Sequence, residues 1–232
     1  MIKLVCSILF VLVSTIFAQN ENVFPITINE EFPEITLQTV EGKNVTIADI
    51  KGKNIMLIFP RGKVTENIWC PICHYQYLEM VKFDKKHDLR EKFDMEIFFI
   101  LPYSQDSLQN WVGAFSKSLE TIKNWKYPID EANVTENVRE WMEYAREFFP
   151  HSFKFSAKKF ELELPVLFDP DRKVSEGLQL FREEWGGTTV AQNVPTVFII
   201  DKKGNVKFKY FSQYTNDRPD TKYIVKYLES MF

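Results

Sequence analysis

The sequence predicts an α/β domain, a central mixed sheet flanked by helices and carrying a helical insertion. Three observations support this. Two unbroken apolar runs, "NIMLIF" at 54–59 and "MEIFFIL" at 95–101, bracket a stretch of helical periodicity. Such runs suit strands buried on both faces of a sheet. A late apolar run at 196–200 leads through Lys-Lys-Gly-Asn into an alternating segment, which is hairpin patterning. Residues 103–163 are rich in Trp, Phe, Lys and Glu at helical spacing, which marks the insertion.

The elements follow in order. Residues 1–18 read as a secretory signal: Lys3 is the only charge, "LVCSILFVLVSTIFA" is apolar or small throughout, and Ala18 offers a cleavage point. The run falls short of the roughly 20 residues that span a bilayer. An exported protein is expected, in a periplasm or, alternatively, a secretory lumen, where the sequons at Asn44 and Asn133 would be glycosylated. Residues 19–232 then form one domain. "FPEITLQTVEGKNVTIADIKGK" reads as two short strands joined by a turn, and 54–59 as a buried strand. From Pro71 to Phe93, Ile72, Tyr75, Leu78, Val81 or Met80, and Leu89 recur at helical steps, with Pro71 in the first turn where its missing N–H costs nothing. The strand at 95–101 completes a right-handed crossover. The insertion reads as helices near 105–122 and 135–149, broken by Pro128 and Pro150, and needs no role beyond packing. "LPVLFD" restarts a strand at 164, and "DRKVSEGLQLFREEW" reads as an amphipathic helix. A hairpin follows, then a closing helix capped by Asp220.

Composition excludes some classes. The net charge is −3, with no basic stripe that would meet nucleic acid. No segment after the signal is apolar enough to cross a membrane. Of three cysteines, Cys6 leaves with the signal, so Cys70 and Cys73 in "WCPIC" remain. A bridge across two residues closes too short a loop to staple a fold. A zinc site needs four ligands, and His74, His87 and His151 lack the paired spacing, so no metal is expected. The reading left is a redox pair, with no cofactor besides a Cys70–Cys73 disulfide.

At a helix start the spacing assigns roles. Unpaired N–H groups and the helix dipole favour a thiolate on Cys70, making it the nucleophile. Cys73, one turn on, resolves what Cys70 captures, and Pro71 shapes the turn. Trp69 either shields the pair or packs in the core. His74 reads as solvent-facing, Lys63 as surface charge, and Arg61 as either an electrostatic helper or surface charge.

A strand, then Trp-Cys-Pro-x-Cys at a helix start, then "VPTVFIID" resembles the thioredoxin fold. The opening at 30–101 and the late "PVLFDPDRKVSEGLQLF" resemble its redoxin branch, the AhpC/TSA family. "PRG" ahead of "WCPIC" is similar to a peroxiredoxin-like group with an Arg-Gly-x-Trp-Cys-Pro-x-Cys signature, here split by "KVTEN". The resemblance implies a cis Pro195 facing the cysteines, with Val194 and Thr196 presenting backbone to substrate. True peroxiredoxins carry Pro-x-x-x-Thr/Ser-x-x-Cys, where this chain has Lys63 and Asn67, and an arginine where it has Pro195. Thiol–disulfide exchange needs neither, so a thiol–disulfide oxidoreductase is the first expectation, acting on a protein disulfide or dithiol and drawing on an external electron donor protein. A thiol peroxidase reducing hydroperoxide is the alternative, and a non-catalytic binding module the second.

Overall fold

The protein's structure, a computed structural model, describes residues 26–155 and 161–232. The expected signal at 1–18 lies outside the described residues. Strands β1 (Thr36–Gln38) and β2 (Asn44–Thr46) pair antiparallel, and β3 (Asn54–Phe59) follows. A small ribbon, β4 (Lys63–Thr65) with β5 (Ile68–Trp69), delivers the chain to α1 (Pro71–His87). After α2 (Leu89–Lys92) and β6 (Met95–Leu101) come the insertion helices α3 (Leu108–Gly113), α4 (Phe115–Lys126) and α5 (Glu136–Phe148). The chain then forms β7 (Val166–Phe168), α6 (Lys173–Gly177), β8 (Phe181–Trp185) and β9 (Thr188–Asn193). It ends with β10 (Thr196–Ile200), β11 (Val206–Phe211) and α7 (Thr221–Met231).

Seven strands make the central sheet in the order β11-β10-β3-β6-β7-β1-β2. β3, β6 and β7 run parallel, while β10 and β1 flank them antiparallel. The period of two along β3 explains why it is apolar throughout. Met56 and Ile58 face a core built with Tyr77, Met80 and Leu228, whereas Ile55, Leu57 and Phe59 face another built with Phe32, Val174 and Phe198.

Two elements differ from expectation. The helix read over 71–93 breaks at Asp88, which takes a left-handed conformation (φ 49°). The helix read over 171–185 stops after α6, and 181–185 is instead strand β8. Asp169 caps α6 by accepting from the N–H groups of Val174 (3.3 Å) and Ser175 (2.7 Å). Gln179, also left-handed (φ 59°), turns the chain out. Gly186 and Gly187, both at positive φ, then close a two-residue hairpin between Trp185 and Thr188. A Gly-Gly pair supplies the twist such a turn requires, and it outweighed the helical spacing upstream.

The insertion packs on the cysteine end of α1. α4 lies across α1 and α5 across α4. Ile122, Ala145 and Phe149 join Cys70, Ile72, Cys73 and Tyr75 in one buried cluster. Phe149 meets Tyr75 edge-on with ring centroids 5.0 Å apart. Phe149→Ala is expected to cost ~3–5 kcal/mol of stability in denaturant unfolding, because the roof can collapse only partly into the space left. The same variant is expected to speed iodoacetamide labelling of the native cysteines; labelling at the wild-type rate would show that the roof does not shield them.

Candidate active site

The site begins with backbone. Cys70 is the N-cap of α1, extended at φ −66° and ψ 114°, and Pro71 occupies the first helical turn. Cys70 N–H donates to the Gly62 carbonyl at 2.8 Å, and Cys73 N–H to the Cys70 carbonyl at 3.1 Å. Gly62 can do this because it lies at φ +86° against Tyr103, whose hydroxyl oxygen would stand 2.5 Å from any added Cβ. Both sulfurs are free thiols and deeply buried, Cys70 at 2% and Cys73 at 1% exposure.

The two sulfurs are not equivalent. Burial works against a thiolate on Cys73, yet the Cys70 S–H, the Arg218 guanidinium and the Gly62 N–H outweigh it and bring its pKa down to about 6. Cys70, hydrogen-bonded to Cys73 and buried, is pushed well up. Arg218 and the Gly62 N–H thus favour an anion on Cys73, while burial and the hydrogen bond to Cys73 disfavour one on Cys70. The helix start, with Cys70 as its cap, remains the ground for expecting the thiolate on Cys70, and Arg218 adds a charge that favours Cys73. The helix N-terminus reaches both sulfurs, but the added positive charge lies nearer the second. Arg218 Nη2 is 4.0 Å from Cys73 Sγ.

Arg218 was not singled out in the sequence. It follows the last strand with no motif around it. Its position is set by Asp217, which accepts from Gln213 N–H at 2.7 Å and also bonds the Tyr210 hydroxyl. Arg218 Nη1 donates to the Asp217 carbonyl at 2.5 Å and to Ser212 Oγ at 3.3 Å.

The remaining expected residues divide. Trp69 is buried beside the pair, edge-on to Tyr103 at 5.3 Å. Lys63 lies over both rings, 5.6 Å from Trp69 and 5.5 Å from Tyr103, rather than standing as free surface charge. Arg61 is buried and locks the β8–β9 hairpin, donating to Gln192 Oε1 (2.6 Å), Thr188 Oγ1 (2.7 Å) and the Trp185 carbonyl (3.2 Å). Burial lowers its pKa, while the two nearby cysteines favour its charge. It therefore helps the site electrostatically and holds the fold as well.

His74 is fully buried, not solvent-facing. Its Nε2 donates to the Trp111 carbonyl at 3.0 Å, so Nδ1 accepts from Ser118 Oγ at 2.7 Å. Desolvation lowers its pKa to about 3, so it adds no positive charge at neutral pH.

The expectation for Pro195 is corrected too. The described residues contain no cis peptide bond. Residues 193–196 pass from β9 to β10 without a tight turn, and nothing there opposes the trans preference of an X-Pro bond. Nor is backbone free for a substrate. Val194 N–H donates to the Leu180 carbonyl (2.7 Å), Ser212 N–H to the Pro195 carbonyl (2.9 Å), and Thr196 Oγ1 to the Val194 carbonyl (2.9 Å). Thr196 is itself paired on both sides, with Phe59 and Phe211. Among the described residues no group of three or more His, Cys, Asp or Glu could hold a metal ion.

The family model described as the AhpC/TSA family matches residues 28–209. No curated protein matches the sequence. Among solved structures, the AhpC of Enterococcus faecalis superposes with a TM-score of 0.55 at 15% identity, over 89% of this chain and 92% of that one. A Cys-to-Ser mutant of peroxiredoxin 6 from Arenicola marina gives 0.53 at 14% identity, over 89% and 74%. A Cys-to-Ser mutant of PrxQ from Xylella fastidiosa gives 0.52 at 10%, over 89% and 97%. At these identities the likeness is one of fold, and Arg218 falls beyond the matched family region.

Arg218→Met is expected to raise the pKa of the Cys73 thiol from about 6 toward the ordinary thiol value of about 8.5. Thiolate absorbance at 240 nm would then grow in at a higher pH than in the wild type, and Arg218→Lys should fall between. A titration curve unmoved by Arg218→Met would remove Arg218 from the site.

Proposed function

The chain belongs to the AhpC/TSA family, and from that premise we propose that this redoxin oxidoreductase works as a thiol–disulfide oxidoreductase cycling between a Cys70–Cys73 dithiol and disulfide. One observation carries the reading: the two buried sulfurs stand one helical turn apart and hydrogen-bond each other, with Arg218 Nη2 4.0 Å from Cys73 Sγ. A thiolate is the form that attacks, and a neighbouring thiol is the group that resolves. When the protein reduces a substrate, Cys73 thiolate attacks the substrate disulfide and expels one substrate thiolate. Cys70, deprotonated as Cys73 gives up its charge, then attacks the Cys73 sulfur and expels the second. The substrate disulfide gains two electrons, and the protein is left with its own S–S bond. A thiol donor restores the dithiol.

A second reading has its own support. Arg218, adjacent to the thiolate, can take the arginine's part in polarising a hydroperoxide O–O bond, although Pro195 stands where true peroxiredoxins carry that residue. In that cycle Cys73 sulfur takes the terminal oxygen as a sulfenic acid, an alcohol or water leaves, and Cys70 condenses with loss of water. Burial of both sulfurs suits so small an oxidant.

Cys70→Ser and Cys73→Ser are each expected to lower turnover with a disulfide substrate by about 100-fold or more, because the pair acts as a unit. The readout is coupled thiol release, with mass spectrometry of the wild type to detect the Cys70–Cys73 disulfide. Full activity in either variant would end the dithiol reading. Stopped-flow peroxide consumption far above that of a free thiol would move the assignment to the second cycle.

A further inference from the structure

Strands β3 and β6 are parallel neighbours, so both release the chain at the end of the sheet where α1 begins. β3 leads into Arg61 and Gly62, and β6 leads through Pro102 into Tyr103. No motif in the sequence marks this tyrosine, yet its contacts converge on Gly62.

Segment 61–63 runs antiparallel to 191–193. Gly62 and Gln192 form a bridge, and Asn193 N–H donates to the Arg61 carbonyl at 3.0 Å. In an antiparallel ladder the matching rung on the other side of that bridge joins Lys63 N–H to the Ala191 carbonyl. The Tyr103 hydroxyl stands in that rung. It accepts from Lys63 N–H at 3.0 Å and donates to the Ala191 carbonyl at 2.8 Å. A phenol has one hydrogen to give and lone pairs to receive, so one side chain completes the link.

The ring is fixed as well. It presses on Gly62, where an added Cβ would stand 2.7 Å from Tyr103 Cε2. Trp69 meets it edge-on at 5.3 Å, and the Lys63 ammonium lies 5.5 Å from its centroid. Burial pushes the Tyr103 pKa well up, so the hydroxyl keeps its proton across the range in which thiols titrate.

Gly62 serves both cysteines. Its carbonyl takes Cys70 N–H at 2.8 Å, and its N–H is among the groups that favour an anion on Cys73. A glycine at φ +86° has more freedom to swing than any other residue. Bonds on both sides remove that freedom: the Arg61 carbonyl is held before it and the Lys63 N–H after it. We propose that Tyr103 is a positioning residue for the cysteine pair, its hydroxyl bridging Lys63 to Ala191 so that the Gly62 peptide stays aimed at Cys70 and Cys73. The proposal rests on the dithiol–disulfide cycle proposed above and assigns the residue that keeps one of its thiolate donors in place. Tyr103 acts through Gly62, so it governs how readily the thiolate forms and not how substrate binds.

The test is Tyr103→Phe in the full chain, which keeps the ring over Gly62 and removes only the hydroxyl. With the protein reduced, thiolate absorbance at 240 nm should grow in about half a pH unit or more above the wild type. The acid limb of kcat/KM for a disulfide substrate should move up with it, while KM on the plateau stays unchanged. Tyr103→Leu, which strips the ring too, should shift the titration further. Leu228→Ala removes a fully buried side chain of α7; it should lower the melting temperature and leave the titration where it was. A Tyr103→Phe titration that overlays the wild type, or an equal shift in Leu228→Ala, overturns the proposal. Failure of the dithiol cycle would look different: the wild type would form no Cys70–Cys73 disulfide, while the reduced proteins would still titrate apart.

Discussion

The site depends on meeting a negative charge on either of two deeply buried sulfurs. Neither thiolate alone could survive at so little exposure, since burial penalises the ion by several kcal/mol unless charge and hydrogen bonds meet it. Here the compensation comes from three separated parts of the chain. Gly62 supplies an N–H from the loop after β3, Cys70 an S–H from the helix cap, and Arg218 a guanidinium from the loop after β11. Each depends on structure behind it. Gly62 is pinned by its positive φ and the Tyr103 ring, and Arg218 by the Asp217 bonds that close the 212–218 loop. The central sheet holds these parts in one place: β3 and β10 are adjacent strands, and β11 lies next to β10.

The insertion acts on the same balance from outside. It brings Ile122, Ala145 and Phe149 over the pair, which removes water and strengthens every nearby electrostatic interaction. It also sets who can approach. Both sulfurs are buried beneath it, which limits what can reach them. Packing and access are thus two consequences of the same helices, although the sequence of the insertion read only as packing.

What was legible in the sequence follows from physical range. β3, β6, β10 and the capped α7 were plain because burial on two faces, a hairpin turn and an Asp cap are local signals. The Cys70–Cys73 pair was plain for the same reason. Segment 171–185 misled because its apolar spacing suits a helix for one turn, after which left-handed Gln179 and the Gly186-Gly187 turn decide. His74 misled because nothing local announces that Ser118 and Trp111, both in the insertion, supply its partners. Arg218 was invisible, since 145 residues separate it from the sulfur it touches. The sequence therefore offered only the helix dipole to favour a thiolate on Cys70, and the Arg218 charge beside Cys73 comes from a loop no motif marks.

That charge also bears on the direction of electron flow. Whatever stabilises the thiolate stabilises the reduced pair and not the disulfide, which has no charge for Arg218 or Gly62 to meet. In the proposed dithiol–disulfide cycle, charge that favours a Cys73 thiolate favours the reduced pair over the disulfide. Thiolate stabilisation by Arg218 and closure by the insertion thus act on the same pair of sulfurs, one through charge and the other through access.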